Sequence, residues 1–406
     1  MFVPTFESAR AQRARIDRIM REKGVLTDRI SGLDYYTGYS YETLYDWDQY
    51  FEAILQLYAG WDTRLIRNGV HIFLANQDER GFIYRSVPRA VDCGQGDEHV
   101  KPFLAQISLL VWKNDGTLDW LSAEEYEKLK KYLLYWLRDK DRDGDGLSTW
   151  DSAPHTGMDN QHERAGWWYD GFCEGVDLNA FLVRECRAMS RIAALRGDPD
   201  SAAFFAAEAE RVARAVQTLW DEQDGIFYDR DERTGAPIRV KYVGAFATLW
   251  AGVATPAQAG RMVREHILNP REFWRPFPLP ALSADEPGYT EDFLKGDLGC
   301  NWRAYTWVPT NYYVFHGLMA YGYAEPAREL ARITCDRAAR LGDREYYAAK
   351  SKRGAGLDPF WGWSLLAHFM PGEFDAGFDP TRMDDWAGPQ GLSFPPEGQK
   401  EPPDFK

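Results

Sequence analysis

The 406-residue sequence has no long basic run, although it contains 48 lysines and arginines. Its 62 aspartates and glutamates leave a formal net charge of −14 at pH 7. A phosphate-binding face needs clustered Lys and Arg side chains, so this composition argues against a nucleic-acid partner. The sequence also lacks an apolar run of about 20 residues, the length of a transmembrane helix, which argues against a membrane partner.

Residues 1–24 contain no apolar segment of signal-peptide length. Cysteine is scarce and odd in number, and the five cysteines do not show the spacing of a metal site. They are Cys93, Cys173, Cys186, Cys300 and Cys335. These features predict a cytoplasmic protein whose cysteines are reduced and mostly packed in the core.

Aromatic residues are abundant, with 16 Trp, 22 Tyr and 22 Phe making up 15% of the chain. Many of them stand in short clusters with Asp, Asn, Gln and Arg. Such mixed surfaces suit sugars, because a sugar stacks its CH faces on rings while its hydroxyls bind fixed polar groups. An aromatic-rich core explains the composition equally well, so the motifs must decide between the two.

Helical patterns recur along the chain, and convincing strand patterns are scarce. Ser122 with Glu125 and Thr255 with Pro256 mark helix starts, and Gly342 marks a helix end. The best hairpin candidate is the segment at 227–240. We therefore predict one mostly helical domain over residues 1–375, followed by a Pro/Gly-rich tail at 376–406.

Four polar, aromatic-rich clusters fall on segments that resemble loops or helix starts. They are Tyr45-Asp46-Trp47-Asp48-Gln49-Tyr50-Phe51, Gly157-Met158-Asp159-Asn160, Asn301-Trp302-Arg303-Ala304-Tyr305-Thr306-Trp307, and Glu345-Tyr346-Tyr347 with Phe360-Trp361-Gly362-Trp363-Ser364. Their order and motifs resemble those of glycoside hydrolase family 63 and the related family 37 trehalases. One difference stands in the third cluster, where Ala304-Tyr305 replaces the Gly-Pro pair of the family's WRGPVW-type motif.

The resemblance implies an (α/α)6 barrel and an inverting α-glycosidase, with Asp159 as general acid and Glu345 as general base. Inversion requires one protonated and one ionised carboxyl group on opposite sides of the scissile bond. Trp150, Trp167 and Trp168 would favour the protonated acid. Lys350, Lys352 and Arg353 would keep the base ionised. Taken without the motifs, Asp159 is an ordinary N-cap and Glu345 an ordinary solvated helix-end residue.

The resemblance also implies a set of substrate-binding residues. Trp47 and Asp48 would hold the cleaved sugar, although Trp47 also fits a core position. Arg303 fits a structural salt bridge as well as a sugar contact. The full set is Trp47, Asp48, Gln49, Tyr84, Gln106, Gly157, Trp302, Arg303 and Trp363.

The segment Asp139–Gly146 resembles the first half of an EF-hand loop, in which alternating carboxylates bind Ca²⁺. The bidentate Glu at loop position twelve is missing, because counting from Asp139 gives Trp150. We therefore expect no cofactor for the reaction, with Ca²⁺ as the alternative at four acidic side chains. These are Asp139, Asp141, Asp143 and Asp145.

The expected substrate is a small α-glucoside or α-mannoside, similar to those of the bacterial glucosylglycerate and mannosylglycerate hydrolases. Arg164, Lys350, Lys352 and Arg353 are available to meet the carboxylate of such an aglycone. Trehalose or a short α-glucan is the first alternative. A sugar epimerase would prefer paired histidines, of which the sequence has few, and a non-catalytic sugar-binding helical barrel is the remaining alternative. The sequence leaves the oligomeric state open.

Overall fold

The computed structural model describes residues 6–40, 42–88, 98–166, 172–294, 297 and 300–383. Within these residues the chain is mainly helical and divides into two compact units. Unit 1 comprises residues 1–136, 184–209 and 360–406, and unit 2 comprises residues 137–183 and 210–359. The predicted Trp167 and Trp168 neighbours of Asp159, Cys93 and most of the predicted tail lie outside the described residues.

In unit 1 one α-helix is buried along its whole length. That helix, Asp46–Tyr58, carries the first predicted motif. The others are Phe6–Lys23, Arg64–Ala75, Leu104–Asp115, Ala123–Leu134, the 3₁₀ helix Trp363–His368 and Met370–Ala376. The capping box predicted at Ser122 and Glu125 is confirmed at the start of Ala123–Leu134.

Two long helices contribute residues to both units, and a π-helical turn at Tyr135–Asp139 does so as well. The long helices are Val176–Leu195 and Pro199–Val216. The apolar face of the first of them is buried throughout, as helical periodicity requires. Its members are Leu178, Phe181, Leu182, Met189 and Ile192.

The helices of unit 2 include the two whose ends were predicted from capping residues. Thr255 forms a capping box with Gln258 at the start of Pro256–Arg261, and Gly342 follows the last residue of Ala324–Leu341. The remaining helical segments are Ala153–Thr156, His162–Ala165, Gln217–Leu219, Val243–Phe246, Ala247–Trp250, Met262–Ile267 and Val308–Ala320.

The strands are short, antiparallel and mostly local. Unit 1 has the pairs Val25–Thr27 with Asp34–Tyr36 and Leu44–Tyr45 with Ser86–Val87. Unit 2 has the pair Trp220–Asp221 with Ile226–Phe227 and two three-stranded sheets. One sheet has the order Cys173–Glu174, Asp229–Asp231, Pro237–Ile238, which confirms the predicted hairpin. The other has the order Tyr305–Thr306, Tyr346–Ala348, Gly354–Ala355.

The first residues of the predicted tail are held by buried cations of unit 1. Lys113 donates to the Pro380 carbonyl at 3.4 Å, and Arg184 donates to the Thr381 carbonyl at 2.7 Å. The residues just after the domain boundary expected at residue 375 therefore form hydrogen bonds with unit 1, at least as far as Thr381. Among the described residues, no helix is both long enough and apolar enough to cross a membrane.

A buried ion cluster fixes the interior of unit 2. Arg164 has a fully buried side chain that donates to Asp177 at 2.8 Å and to Asp229 at 2.5 Å. Its guanidinium lies 3.6 Å from the centroid of the Tyr242 ring, whose hydroxyl donates to Asp229. Trp150 donates to Asp177 at 2.9 Å. One cation and two carboxylates are thus buried together, and each charge is compensated by the opposite charge within the cluster.

We expect Arg164→Met to destabilise the protein by about 3–5 kcal/mol, because it leaves two buried carboxylates without their cation. The free energy of unfolding from urea denaturation measures the change. Arg328→Met is the matched control, because Arg328 is 58% exposed and forms an ion pair with Glu325 on its own helix. That substitution should cost less than about 1 kcal/mol. Equal losses in the two variants would contradict this account of the cluster.

Candidate active site

The three-stranded sheet of unit 2 brings two of the predicted motifs together. Tyr305 pairs with Ala348 and Thr306 with Tyr347, so the segment after Arg303 lies beside the segment after Glu345. Gly354–Ala355 pairs on the other side of the central strand. Glu345 therefore stands directly before the central strand, and Trp302 stands close to the start of its neighbour.

Asp159 lies on a tight turn after the four-residue helix Ala153–Thr156. Ser152 caps the start of this helix, and its side chain accepts from the His155 N–H at 3.1 Å. Gly157 ends the helix with φ at +80°, a conformation that favours glycine over residues with a Cβ. The predicted Gly157 thus has a backbone function, since it turns the chain so that Asp159 follows two residues later.

The two residues after Asp159 form hydrogen bonds with the main chain of Trp302. The Asn160 side-chain oxygen accepts from the Trp302 N–H at 2.8 Å. The Gln161 amide donates to the Trp302 carbonyl at 2.6 Å and to the Ala281 carbonyl at 3.2 Å. Both side chains are buried, so these bonds are shielded from water. They tie the Asp159 turn to the Trp302 segment.

Trp302 begins a stack of three rings that ends beside Glu345. Its ring lies parallel to that of Trp307, with centroids 3.7 Å apart, and Trp307 stacks on Tyr346 at 4.3 Å. Trp302 is only 1% exposed. The Trp302 ring therefore has a packing role, and Tyr346, the last ring of the stack, directly follows Glu345 in sequence.

The Glu345 carboxyl group is almost completely buried, with 8% of the residue exposed. Its Oε2 accepts from the Leu357 N–H at 3.0 Å, which lowers its pKa. Burial acts in the opposite direction and more strongly, and the Asp159 charge adds to it, so the pKa rises to about 7. Asp159 and Glu345 are therefore close enough to repel one another as anions.

The cations that we expected to keep Glu345 ionised do not lower its pKa. Lys350, Lys352 and Arg353 are exposed on the turn between the last two strands, where water screens their charges. The expectation was wrong because sequence proximity does not measure burial. Arg164 is likewise unsuited to meet an aglycone carboxylate, since it is fully buried between Asp177 and Asp229.

Gly356 is a site residue that the sequence did not reveal. Its φ is +72°, and a Cβ at this position would lie 2.4 Å from Glu345 Oε2 and 2.6 Å from the Tyr346 ring. Any side chain would therefore push the carboxylate away. The turn at Gly356 also presents the next N–H, that of Leu357, to Glu345.

Arg303 forms a buried salt bridge. Its Nη1 donates to Asp297 Oδ2 at 2.7 Å, and both side chains are at most 2% exposed. Asn160 donates to the same oxygen at 3.4 Å. Of the two alternatives considered for Arg303, the salt bridge is present. Its acidic partner, Asp297, also accepts from Asn160, which directly follows Asp159. Sequence inspection assigned no role to Asn160, Gln161 or Asp297, although Asn160 ends the acid motif and Gln161 directly follows it.

Unit 1 collects three other predicted site residues. Trp47 is 2% exposed and lies edge-on to Trp363, with ring centroids 6.1 Å apart. Tyr39 contacts the Trp363 ring at 5.7 Å and donates its hydroxyl to Asp48. Burial and the neighbouring Asp46 raise the pKa of Asp48 to about 7. Trp47, Asp48 and Trp363 thus form one cluster within this unit.

The other three predictions in unit 1 fall on side chains with structural contacts. Gln49 donates to the Tyr36 carbonyl at 3.2 Å and packs against Gly69. Gln106 donates to the Pro102 carbonyl at 3.0 Å and accepts from Arg184 at 3.1 Å. Tyr84 is half-buried and packs edge-on against Phe82 at 5.0 Å.

The acidic loop brings together three of its four carboxylates. Oxygen atoms of Asp141, Asp143 and Asp145 lie within 4.8 Å of one another, and Asp139 is not part of this group. Arg211 donates to Asp141 at 2.8 Å, and Arg230 forms an ion pair with Asp145. These arginines offset part of the charge that a Ca²⁺ ion would otherwise balance, and binding of Ca²⁺ here stays a prediction.

Comparisons with known proteins agree with the motifs. The family model of the mannosylglycerate hydrolase MGH1-like glycoside hydrolase domain matches residues 41–364. A mannosylglycerate hydrolase of Thermus thermophilus is 28% identical over 198 residues, which are 48% of this chain and 44% of that protein. The chain therefore spans less than half the length of this curated relative. The cytosolic neutral trehalase of Kluyveromyces lactis is 32% identical over 126 residues, 30% of this chain and 15% of that enzyme.

Solved structures share the fold over most of the chain. The family 63 mannosylglycerate hydrolase from another strain of Thermus thermophilus, in complex with glucose, has a TM-score of 0.69 at 19% identity, covering 88% of this chain and 99% of that one. The same enzyme with Tris and D-glycerate has a TM-score of 0.69 at 18% identity, covering 89% and 99%.

We expect Glu345→Gln to stabilise the protein increasingly as the pH rises. The carboxyl group has an ordinary pKa of 4.5 and a folded-state pKa of about 7. The folded state therefore loses stability between these two pH values, by at most about 3 kcal/mol. The gain in unfolding free energy should be small at about pH 5 and largest at about pH 8.

Urea denaturation at both pH values measures this difference. Glu325→Gln, on an exposed helix position, controls for the general effect of removing one negative charge. A gain for Glu345→Gln that is the same at both pH values would contradict the raised pKa of Glu345.

Proposed function

We propose that this chain, which belongs to the mannosylglycerate hydrolase MGH1-like glycoside hydrolase family, cleaves a small α-glucoside or α-mannoside with inversion of configuration. In this proposal Asp159 is the general acid and Glu345 is the general base. The observation that carries it is the buried Glu345 carboxyl group, whose pKa is raised to about 7 by burial and by the nearby Asp159.

The pair suits an inverting reaction because two repelling carboxyl groups retain one proton between them more readily than none. In the form of the pair that reacts, Asp159 holds that proton and gives it to the glycosidic oxygen as the bond from this oxygen to the anomeric carbon breaks. The ionised Glu345 takes a proton from a water molecule, whose oxygen bonds to the same carbon from the opposite face. One water is consumed, and the sugar leaves with inverted configuration.

Glu345 is also held in a way that suits a base. The Leu357 N–H binds Oε2, and Gly356 leaves no side chain against the carboxylate. A base works best when its pKa lies near the operating pH, because it is then both ionised and able to accept a proton. A pKa of about 7 meets this condition near neutral pH.

We further propose that the helices close into an (α/α)6 barrel, and that Trp47, Asp48 and Trp363 contact the sugar. The agreement with the family 63 fold over most of the chain supports the barrel. The mixture of rings and a carboxyl group in the Trp47 cluster supports sugar binding, since it offers both stacking and hydrogen bonds.

The proposed aglycone is a small organic acid such as glycerate. The mannosylglycerate hydrolase of Thermus thermophilus has been solved with D-glycerate, which supports this class. Lys350 and Lys352 are the cations proposed to meet its carboxylate, because they are exposed on the turn that follows the Glu345 strand and neither forms an ion pair with a described residue. Trehalose is the second candidate substrate, favoured by the similarity to a cytosolic neutral trehalase.

A panel of α-glycosides tests the function. Glucosylglycerate and mannosylglycerate should release free hexose, trehalose should react more slowly, and the β-anomer should appear first by NMR. Asp159→Asn should lower kcat by at least about a hundredfold, because Asn keeps the shape of Asp but has no proton to donate. Asp336→Asn, on a helix of the same unit, should retain full activity.

Early appearance of the α-anomer would exclude the water-mediated pair and the assignment of Glu345 as base. Undiminished activity in Asp159→Asn would exclude Asp159 as acid. A preference for trehalose over both acidic glycosides would replace the organic-acid aglycone by a second sugar.

The pH dependence provides a separate test. Because Glu345 acts only when ionised, kcat/KM should fall about tenfold for each pH unit below its pKa of about 7. Initial rates with glucosylglycerate from about pH 5 to about pH 9 measure the profile. Full activity at about pH 5 would show that Glu345 is not the base.

A further inference from the structure

Asp159 has a neighbour that belongs to none of the motifs. The Cys300 thiol lies with Sγ 3.0 Å from Asp159 Oδ2, and the thiol is the donor in this contact. Cys300 directly precedes the Asn301–Trp307 motif. It lies two residues before Trp302, whose main chain is bound by Asn160 and Gln161.

We propose that Cys300 is a positioning residue for the general acid. Its S–H binds Oδ2 of Asp159, which restrains rotation of the carboxyl group and favours protonation on Oδ1. The proton to be donated then stays on one oxygen in one orientation. This proposal rests on the proposed function, because it assigns Cys300 a part in the acid step.

Exposure separates Cys300 from the other described cysteines. Cys173, Cys186 and Cys335 are buried, whereas Cys300 is partly exposed. Burial raises the pKa of the Cys335 thiol to about 12 and that of the Cys173 thiol well above its usual range. Those cysteines fit packing positions, as the sequence suggested, while Cys300 alone among them contacts a carboxyl group of the proposed catalytic pair.

A thiol suits this position for an electrostatic reason. Lys or Arg at 3.0 Å would stabilise the ionised carboxylate strongly and so oppose the protonated form that the reaction needs. A thiol is a weak, neutral donor. It can therefore orient the carboxyl group while leaving the proton on it.

The kinetic test compares Cys300→Ala with Cys300→Ser. The alanine variant should lose about five- to tenfold in kcat on glucosylglycerate with a KM changed less than about twofold, because the acid loses its restraint but the sugar contacts stay. The serine variant keeps a neutral donor and should recover most of the rate. Cys335→Ala, a buried cysteine of the same unit, should match the wild type. Melting temperatures identify any variant whose loss comes from unfolding.

The second readout needs no substrate. The infrared S–H stretching band of Cys300 is identified by its disappearance in Cys300→Ser. In Asp159→Ala this band should move to higher frequency, because the thiol has lost its acceptor. The serine and Asp159→Ala variants keep the remaining cysteines, so the comparison isolates one band.

Two results would overturn the proposal: wild-type kcat in Cys300→Ala, or an S–H band that does not respond to Asp159→Ala. Loss of rate in both the alanine and serine variants at equal magnitude would also oppose it, since a restored donor should help. If the wild type cleaves no glycoside, the proposed function fails. The infrared shift then decides alone whether Cys300 holds Asp159.

Discussion

The hydrogen bonds on the main chain of Trp302 are the constraint on which the site of unit 2 depends. Asn160 holds the Trp302 N–H and Gln161 holds its carbonyl, so the Asp159 turn and the Trp302 segment cannot shift independently. From Trp302, the stack through Trp307 reaches Tyr346, the neighbour of Glu345. The proposed acid and base, far apart in sequence, thereby share one support of buried hydrogen bonds and packed rings.

The placing of Glu345 costs stability at neutral pH. Burial and the repulsion from Asp159 oppose its ionisation, and the N–H of Leu357 offsets only part of this. A fold selected for stability alone would place Gln or an apolar residue there. Unfavourable burial of an ionisable group is typical of functional sites. The Arg164 cluster shows the contrasting arrangement, in which buried carboxylates are compensated by a cation.

The sequence predicted those features that are local. Helix caps at Ser122 and Thr255, the end at Gly342 and the hairpin at Asp229–Asp231 follow from short-range chemistry and are confirmed. The family was confirmed as well, because its motifs are contiguous residues. The closing of helices into a barrel was implied by resemblance and not by periodicity, since amphipathic patterns do not determine how helices are arranged around one another.

The environment of each charged side chain could not be predicted, because it depends on residues distant in sequence. We expected Arg164 to be available to bind the carboxylate of an aglycone, but it forms buried ion pairs with Asp229 and Asp177. Arg303 similarly pairs with Asp297. Counting cations along a sequence therefore overstates what a ligand can use, since a buried cation must already have a partner in the fold.

The wrong expectation that cations keep Glu345 ionised shows which kind of neighbour the proposed site requires. Had Lys350 or Lys352 lowered the pKa of the Glu345 carboxyl group, the carboxylate would be a weaker base towards water. Two neutral donors instead contact the two carboxyl groups: an N–H from Leu357 on Glu345 and a thiol from Cys300 on Asp159. Neutral donors fix geometry with little stabilisation of negative charge, so burial and mutual repulsion govern the protonation of the pair. The proposed inverting hydrolysis needs one of these carboxyl groups protonated and the other ionised.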